Sequence, residues 1–222
     1  MSPGFLAVKQ GLPYLLQGAL IDLAVVVGAL VLGCFLGLPV AVGQVYGPRW
    51  LNRLLAFYVW FFRGVPLLVL LFLFYFGLFS YLEINVSAFT VGILVLSLIS
   101  SAYQSQFIRG AILSLPEGQM KAALSLGMSK KKAVVSIILP QALRMTVPGW
   151  SNEYSIILKD SAVTYALGVA ELMARAHHVA SRTYQHLHLY IAAGFIFLIM
   201  TYFGTKILAV IQEKIKIPGY SR

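Results

Sequence analysis

The sequence predicts an all-α membrane protein with five transmembrane helices, and three observations support this fold class. Hydrophobic residues make up 59% of the 222 residues, and charged residues only 11%. A soluble globular domain carries about 25% charged residues. The mean hydropathy is +0.84, and four long runs contain no Asp, Glu, Lys or Arg. These values exclude both a water-soluble globule and a disordered chain.

Four of the spans follow from the uncharged runs, because about 20 apolar residues in a helix cross the hydrocarbon core. The runs cover residues 23–48, 64–82, 84–108 and 183–205. With their flanks they predict spans at 14–45, 54–80, 86–113 and 186–213. The first span contains Gly33-x-x-x-Gly37 and Gly43-x-x-x-Gly47, a spacing that lets helices pack closely.

The fifth span is predicted at 133–170, where polar residues and prolines break the apolar pattern. It is required by the distribution of positive charge. With five spans, one side of the membrane receives Arg49, Arg53, Arg109, Lys121, Lys130, Lys131, Lys132, Lys206, Lys214, Lys216 and Arg222. The other side receives Lys9, Arg175 and Arg182. Positive charge gathers in the cytoplasm, so the N-terminus is expected outside and the C-terminus inside, with residues 1–222 forming one membrane domain.

This distribution also explains the net charge of +10. No basic stripe alternates with aromatic residues, so we expect no nucleic-acid partner. The single cysteine, Cys34, excludes an intrachain disulfide and a CxxC metal site. The four histidines, His177, His178, His186 and His188, lack a recognised ligand spacing. We therefore expect no metal and favour an interfacial or solvated role for them.

The fifth predicted span contains the main functional candidates. Glu153 and Asp160 are seven residues apart and share one helix face. A charge in hydrocarbon costs roughly 2.5–3.5 kcal/mol and usually faces a cavity or a partner. The two acids are therefore expected to attract a cation, unless Lys159 and Arg144 neutralise them within the bundle. Asn152 is included in the candidate substrate site as the neighbour of Glu153.

The span at 86–113 carries a polar stripe, formed by Ser97, Ser100, Ser101 and Gln104 at helical spacing. Such a stripe either lines a cavity or bonds a neighbouring helix. Ser97 and Ser100 are taken as candidate substrate-binding residues on the first interpretation.

No catalytic motif is present, since the chain contains neither GxSxG nor HExxH. It also lacks GxxxxGK[ST], the loop that cradles nucleotide phosphates. We therefore expect no catalytic residue and no cofactor in this chain, and the energy for any active transport must come from another chain or from an ion gradient.

The loop at 114–132 is predicted to hold a short amphipathic helix. Pro116 marks a helix boundary, and Gly127 is well placed to end the helix that follows it. A helix of this kind is suited to docking in a groove on a soluble partner.

This loop resembles the cytoplasmic EAA loop of ABC importer permeases: EAA, three residues, Gly, nine residues, then I-x-L-P. The matching residues are Ala122, Ala123, Gly127, Ile137, Leu139 and Pro140, while Lys121 stands at the Glu position. Further stretches are similar to the polar amino-acid branch of that family. They are FRGVPLL at 62–68, Ala102-Tyr103, RGAI at 109–112, P-x-GQ at 116–119, PQALR at 140–144, Asn152-Glu153 and LKD at 158–160.

The resemblance implies a type I ABC importer permease fold in the bacterial cytoplasmic (inner) membrane. It further implies a second permease subunit, identical or homologous, and two cytoplasmic ATPase subunits that bind ATP and Mg²⁺. The residues expected to contact an ATPase are then Lys121, Ala122, Ala123, Leu126, Gly127 and Met128. An extracytoplasmic binding protein would deliver the substrate. The substrate class implied is a polar amino acid, transported by alternating access.

The two acids favour a basic amino acid such as arginine, lysine, ornithine or histidine, with glutamine and glutamate left open. Two alternatives of other classes are an ion-gradient-driven secondary transporter with Glu153 as its proton site, and a membrane-embedded enzyme.

Overall fold

In the computed structural model, residues 2–215 are described, and this part of the chain is almost entirely helical with no strand. Lys216 and Arg222, counted above among the basic residues, lie outside the described residues. The α-helices are α1 Pro3–Tyr46, α2 Arg49–Gly64, α3 Leu67–Phe72, α4 Ala88–Ser114, α5 Glu117–Ser125, α6 Lys130–Ala133, α7 Leu139–Ser161, α8 Leu172–Thr183 and α9 His186–Ile215. π-helices extend α3 over Leu73–Phe79 and join α6 to α7 over Val134–Ile138, and a 3₁₀-helix follows α7 over Ala162–Leu167.

The helix α1 packs along α4 in the most extensive helix pair of the molecule. The contact depends on glycine, as the spacing of Gly33 and Gly37 predicts. A Cβ atom at Gly33 would lie 2.9 Å from the Cβ of Ser100, and one at Gly37 would lie 2.8 Å from the carbonyl oxygen of Ser101. Any larger side chain would push the two helices apart, so the predicted packing role is confirmed for this pair.

α1 begins earlier than the expected residue 14. It starts at Pro3, with the Ser2 hydroxyl accepting a bond from the N–H of Phe5. The first turns lack a strongly apolar sequence, but they pack on other helices: a Cβ at Gly4 would collide with the ring of His188, and Gly11 faces Val179. Tertiary packing therefore extends the helix beyond the apolar run.

The range 54–80, expected as one continuous span, is broken. α2 and the helix over Leu67–Phe79 meet at an angle of 106°. Val65 is extended, with φ −84° and ψ 132°, because the following Pro66 has no N–H and disfavours the helical conformation before it. The uncharged run 64–82 does not cross as a helix by itself, since Leu67–Phe79 is only about 20 Å long.

The range 133–170 is more continuous than its sequence indicates. A π-turn over Val134–Ile138 leads into α7, with Pro140 in its first turn. The wider π-turn leaves room for the Pro140 ring, which would otherwise clash with the carbonyl of the preceding turn. The helix then continues to Ser161, and the chain turns at Gly168, where φ is +89°.

Three described helices are long and apolar enough to cross a membrane: α1, α4 and α9. The bent pair of α2 with Leu67–Phe79 would be a fourth. α9 at His186–Ile215 and α4 at Ala88–Ser114 agree closely with the predicted spans. The count of five spans and the orientation of the termini remain predictions.

Candidate functional site

Glu153 lies on the face of α7 that packs against other helices, and its side chain is fully buried. Neither carboxylate oxygen has a hydrogen-bond partner. Two neighbours in the same turn share this condition, since the indole N–H of Trp150 and the hydroxyl of Ser151 are buried and unpaired. Within residues 2–215, all of the buried side-chain polar atoms that lack partners belong to these three residues. A buried polar group without a partner is costly, and it calls for an explanation such as a bound ligand.

Ser100 on α4 lies close to the Glu153 carboxylate, although the two form no hydrogen bond of normal geometry. Arg63, at the end of α2, and Asp160 act on the same carboxylate at longer range. The surroundings of Glu153 thus contain one cation, one further acid and one hydroxyl, drawn from α2, α4 and α7.

The other candidates on α7 are more accessible than Glu153. Asp160 is half-buried, and Asn152 and Lys159 are exposed. Neither Arg144 nor Lys159 forms an ion pair with the two acids. In the described part of the chain the only ion pair joins Lys121 to Glu117, at 3.2 Å. The alternative in which Arg144 and Lys159 neutralise these acids therefore has no contact to support it.

The serine stripe of α4 is buried and mostly bonds protein groups. The Ser97 hydroxyl donates to the carbonyl of Leu94 at 2.7 Å. The amide of Gln104 donates to the carbonyl of Leu30 at 3.0 Å and to the Ser100 hydroxyl at 2.9 Å, which links α4 to α1. Ser101 bonds the Tyr58 hydroxyl of α2. Ser101 and Gln104 hold helices together, and Ser100 is the member that also lies close to Glu153.

A second acidic cluster, missed by the sequence analysis, surrounds the start of α8. Asp22 of α1 is fully buried, and its Oδ1 accepts a bond from the Ser161 hydroxyl at 2.6 Å. Its Oδ2 accepts from the N–H of Leu172 at 3.0 Å. Glu171 caps the same helix by accepting from the N–H groups of Met173 and Ala174, at 2.7 and 2.6 Å. These acids satisfy backbone donors that a helix start leaves free.

Glu171 lies outside the spanning helices. Burial raises the pKa of its carboxyl to about 7, and the two backbone N–H bonds oppose that rise. The signal that could have revealed this cluster is Asp22 itself, an acid at the edge of an apolar run.

His177 and His178 lie in the middle of α8, and His186 and His188 lie in the first turn of α9. His177 bonds the Tyr190 hydroxyl through Nδ1 at 2.8 Å, and its ring packs near those of Tyr165 and His186. Among residues 2–215, no group of three His, Cys, Asp or Glu side chains is placed to hold a metal ion.

A polar cavity of about 510 Å³ opens between α1, α2 and α4. It is lined by Gln44, Asn52, Ala56, Val59, Trp60, Arg63, Gly64, Tyr103, Gln106 and Arg109. The Arg63 guanidinium lies over the Tyr103 ring, 4.7 Å from its centroid. The Gln106 amide donates to the side-chain oxygen of Gln44 at 2.9 Å. The lining contains two arginines and no acid.

The predicted short helix in the loop at 114–132 is confirmed as α5. Gly127 has a φ of +80°, and its N–H bonds the carbonyl of Leu124 at 3.0 Å. The N–H of Met128 bonds the carbonyl of Ala123 at 3.1 Å. This is a Schellman motif, in which glycine takes the left-handed position at no steric cost. Ala123 is buried and Leu126 is exposed, so the end of the helix presents an apolar side chain outward.

A protein-family model described as "Binding-protein-dependent transport system inner membrane component" matches residues 29–217. The chain is 32% identical over 216 residues to the arginine transport system permease protein ArtQ of Bacillus subtilis, covering 97% of this chain and 99% of that protein. It is 29% identical over 212 residues to the glutamine transport system permease protein GlnP of Escherichia coli, covering 95% and 97%.

Among solved structures, the chain matches a crystal structure of an amino acid ABC transporter with histidines. The TM-score is 0.84 and the identity 32%, with 95% of this chain and 98% of that chain covered.

Proposed function

The chain belongs to the family of inner membrane components of binding-protein-dependent transport systems and is an amino-acid ABC transporter permease subunit; from that premise we propose that it carries a basic amino acid across the bacterial inner membrane. Five membrane-spanning segments, with the C-terminus in the cytoplasm, are part of this proposal. The route is alternating access, in which the cavity opens to one side of the membrane at a time.

The observation that carries the substrate assignment is the Glu153 carboxylate, which is fully buried and has no partner on either oxygen. Burying a charged acid without a partner costs several kcal/mol, so buried acids usually pair with another group or line a functional cavity. An ammonium or guanidinium group of a substrate supplies the missing donors through charge-assisted hydrogen bonds. Asp160, two turns further along α7, adds a second negative charge to the same path.

The proposed assembly has two permease subunits, two cytoplasmic ATPase subunits and an extracytoplasmic binding protein. The second permease is either a copy of this chain or a homologue. ATP and Mg²⁺ bind to the ATPases, because this sequence has no phosphate-binding loop. α5 is the proposed docking helix for an ATPase, with Ala122, Leu126 and Met128 among its contacts. Its movement on ATP binding opens the cavity outward, and hydrolysis returns it inward.

The alternatives of a secondary transporter and of a membrane enzyme are disfavoured by the family. An ion-gradient transporter would retain uptake without any ATPase, and an enzyme would need a nucleophile or metal motif that the sequence lacks. Glutamine is the alternative substrate, since a relative named for glutamine transport matches along almost the whole chain. The name of that relative belongs to that protein, so the choice among amino acids must come from the charge of the site.

The test is the uptake of radiolabelled arginine and glutamine by vesicles that contain the complete transporter with its binding protein. Glu153→Gln keeps the shape and removes the charge. We expect arginine uptake to fall at least tenfold, as for a lost desolvated ionic contact of about 2–5 kcal/mol. Assembly and basal ATPase activity should be retained. Glu83→Gln is the matched control, because Glu83 is exposed in the turn after the bent helix pair.

Normal arginine uptake by Glu153→Gln would contradict the basic-substrate proposal and leave the amino-acid permease assignment intact. Equal impairment of every amino acid, or loss of assembly, would instead give Glu153 a structural role.

A further inference from the structure

We propose that a cavity between the first turns of α1 and the second half of α8 binds the headgroup of an anionic phospholipid, with Arg182 as the main ligand of its phosphate. The site is separate from Glu153, and it does not depend on which amino acid the transporter carries. On the orientation proposed above, the lipid belongs to the outer leaflet of the membrane.

The cavity has a volume of about 360 Å³, which is within the size range of small-molecule sites. Its polar lining consists of Gln10 and Tyr14 of α1 and of His178, Arg182 and Thr183 of α8. Residues four apart share a helix face, so each helix turns a pair of these side chains toward the cavity. All five side chains carry a hydrogen-bond donor, and no acidic residue is among the described residues of the lining. The lining is therefore complementary to an anion.

The two arginines of α8 differ in their partners. The Arg175 guanidinium lies 4.3 Å from the centroid of the Tyr14 ring and donates to the side-chain oxygen of Gln17 at 2.8 Å. Within residues 2–215, all side-chain hydrogen bonds donated by arginine come from Arg175, and Arg182 has no ion pair there. The guanidinium of Arg182 is thus free for a phosphate group, which accepts two parallel hydrogen bonds from arginine.

The cavity lies at the level where the apolar surface of the long helices begins. Gly11 belongs to its lining, and a Cβ there would lie 3.7 Å from the side chain of Leu189, in the first turn of α9. From this level onward both helices expose apolar residues at helical spacing, Leu12, Leu16 and Leu20 on α1 and Ile191, Phe195 and Leu198 on α9. A phospholipid whose acyl chains lie along these residues has its headgroup beside the cavity.

The residue types of the cavity are typical of this boundary. Tyrosine is enriched where hydrocarbon meets the headgroups, and arginine places its charged end there while its stem lies on apolar groups. The Tyr14 and His178 rings are 6.0 Å apart, so they connect the two helices at the same depth as Arg182.

The charges around the cavity favour an anionic lipid over a zwitterionic one. Besides Arg182, Arg175 lies on the Tyr14 ring, and the exposed Lys9 directly precedes Gln10. The ammonium group of phosphatidylethanolamine would lie among these like charges. Phosphatidylglycerol has the same phosphate without the ammonium, and basic residues at a membrane surface attract such lipids.

The test is lipid binding to the purified complete transporter, measured by native mass spectrometry as the dissociation constant of the most tightly bound lipid. Phosphatidylglycerol and phosphatidylethanolamine with identical acyl chains are compared. We expect Arg182→Gln to weaken phosphatidylglycerol binding at least fivefold and phosphatidylethanolamine binding less than twofold. Arg53→Gln is the matched control, because it removes the same charge from an exposed position outside the cavity, and it should change both constants less than twofold.

Arg182→Lys keeps the charge and loses the paired donors, so a loss of two- to threefold is expected for phosphatidylglycerol. This variant also provides the test if Arg182→Gln fails to assemble. Unchanged phosphatidylglycerol binding in the Arg182 variants, or an equal loss in Arg182→Gln and Arg53→Gln, would overturn the site.

Two further measurements separate the lipid from other anionic partners. Inorganic phosphate at millimolar concentration should leave phosphatidylglycerol binding unchanged, because it lacks the acyl chains; displacement of the lipid would assign the cavity to a free anion and overturn the lipid proposal. The affinity of the extracytoplasmic binding protein for the transporter should be the same for wild type and Arg182→Gln. If Arg182→Gln weakened that affinity and left lipid binding intact, the surface would belong to the protein partner, and the lipid site would be wrong.

Discussion

Asp22 in α1 and Glu153 in α7 are both fully buried carboxylates in helices of the membrane domain. Asp22 uses both of its oxygens, one for the Ser161 hydroxyl and one for the N–H of Leu172. Glu153 uses neither. The two acids are thus equally buried but differ in their hydrogen bonds: the partners of Asp22 are part of the protein, whereas Glu153 has no partner within it.

The difference indicates which of the two is structural. A satisfied buried carboxylate fixes the elements that it bonds, here the start of α8 and the end of α7. An unsatisfied one forms no such bond, and this is why we propose a ligand as the partner of Glu153. Asp22 and Glu153 are equally buried, so burial does not distinguish their roles. Their hydrogen bonds do, because only Asp22 has partners for its oxygens. The following predictions test this difference between the two acids, mainly through the thermal stability of variants, from the largest expected effect to the smallest.

Asp22→Ala should destabilise the protein most. It leaves the N–H of Leu172 buried without an acceptor, and it removes a charge-assisted bond at the start of α8, at a cost of about 2–3 kcal/mol. For a chain of this size the Tm should fall by roughly 5–10 °C. This Tm is measured by thermal unfolding of the purified transporter, monitored by intrinsic tryptophan fluorescence. A Tm within 1–2 °C of wild type would remove the structural role of Asp22.

Gly18→Ala tests the same region through packing. A Cβ at Gly18 would lie 2.8 Å from both the N and Cα atoms of Leu172, so α8 must shift and the bond from Leu172 to Asp22 must lengthen. Overpacking of this kind costs about 1–3 kcal/mol, and a smaller fall in Tm is expected. Gly194→Ala is the control, since nothing lies within 4 Å of that position; a helix there gains up to about 1 kcal/mol. Equal Tm values for the two variants would be inconsistent with close contact between α1 and α8.

Gly127→Val concerns coupling rather than either acid. Its Cβ meets no atom within 4 Å, so the cost arises only from the φ of +80°, about 1–2 kcal/mol and confined to the end of α5. We expect binding of the amino acid to persist while ATP-driven uptake and recovery of the ATPase with the complex are lost.

The control for that variant is Gly118→Ala, in the same short helix, where no atom lies within 4 Å and φ is not positive. It should couple normally. Full transport by Gly127→Val with normal recovery of the complex would argue against α5 as the docking helix.

Glu153→Gln should have the smallest effect on stability. No hydrogen bond is lost, and a buried charge is replaced by a neutral amide, so the Tm should stay within about 1 °C of wild type or rise. The same measurement on Asp22→Asn should give a clear fall, because the amide keeps at most one acceptor. If Glu153→Gln destabilised the protein as much as Asp22→Asn, the contrast between the two acids would disappear.

Much of the helical arrangement could be predicted from the sequence, because hydropathy marks long uninterrupted spans. α4 and α9 came within a few residues of their predicted limits, and Gly127 ended α5 as expected. The break at Val65–Pro66 was not predicted, since an averaged apolar run hides a single proline. The early start of α1 was not predicted either, because its first turns depend on contacts with α8 and α9.

The functional site was predicted in part. Glu153 stood out as a charge inside a span, a signal that needs no structure. Its lack of partners is visible only in the folded structure, as are the bonds of Asp22, whose partner Leu172 is 150 residues away.

The length of α1 has a mechanical consequence. Its 44 residues extend for about 66 Å, roughly twice the thickness of the hydrocarbon core, so its ends reach beyond the bilayer. One end packs on α9 through Gly4 and His188. At the other end, the Tyr46 ring lies 5.3 Å from the ammonium group of Lys130.

Lys130 follows α5 by a few residues, so α1 connects the region beside α9 to the segment that follows the proposed docking helix. The prolines inside α1 are Pro13 and Pro39. Each lacks an N–H, so one backbone hydrogen bond of the helix is missing at each position. If an ATPase moves α5 as proposed, we expect α1 to tilt as one unit and to bend at Pro13 and Pro39.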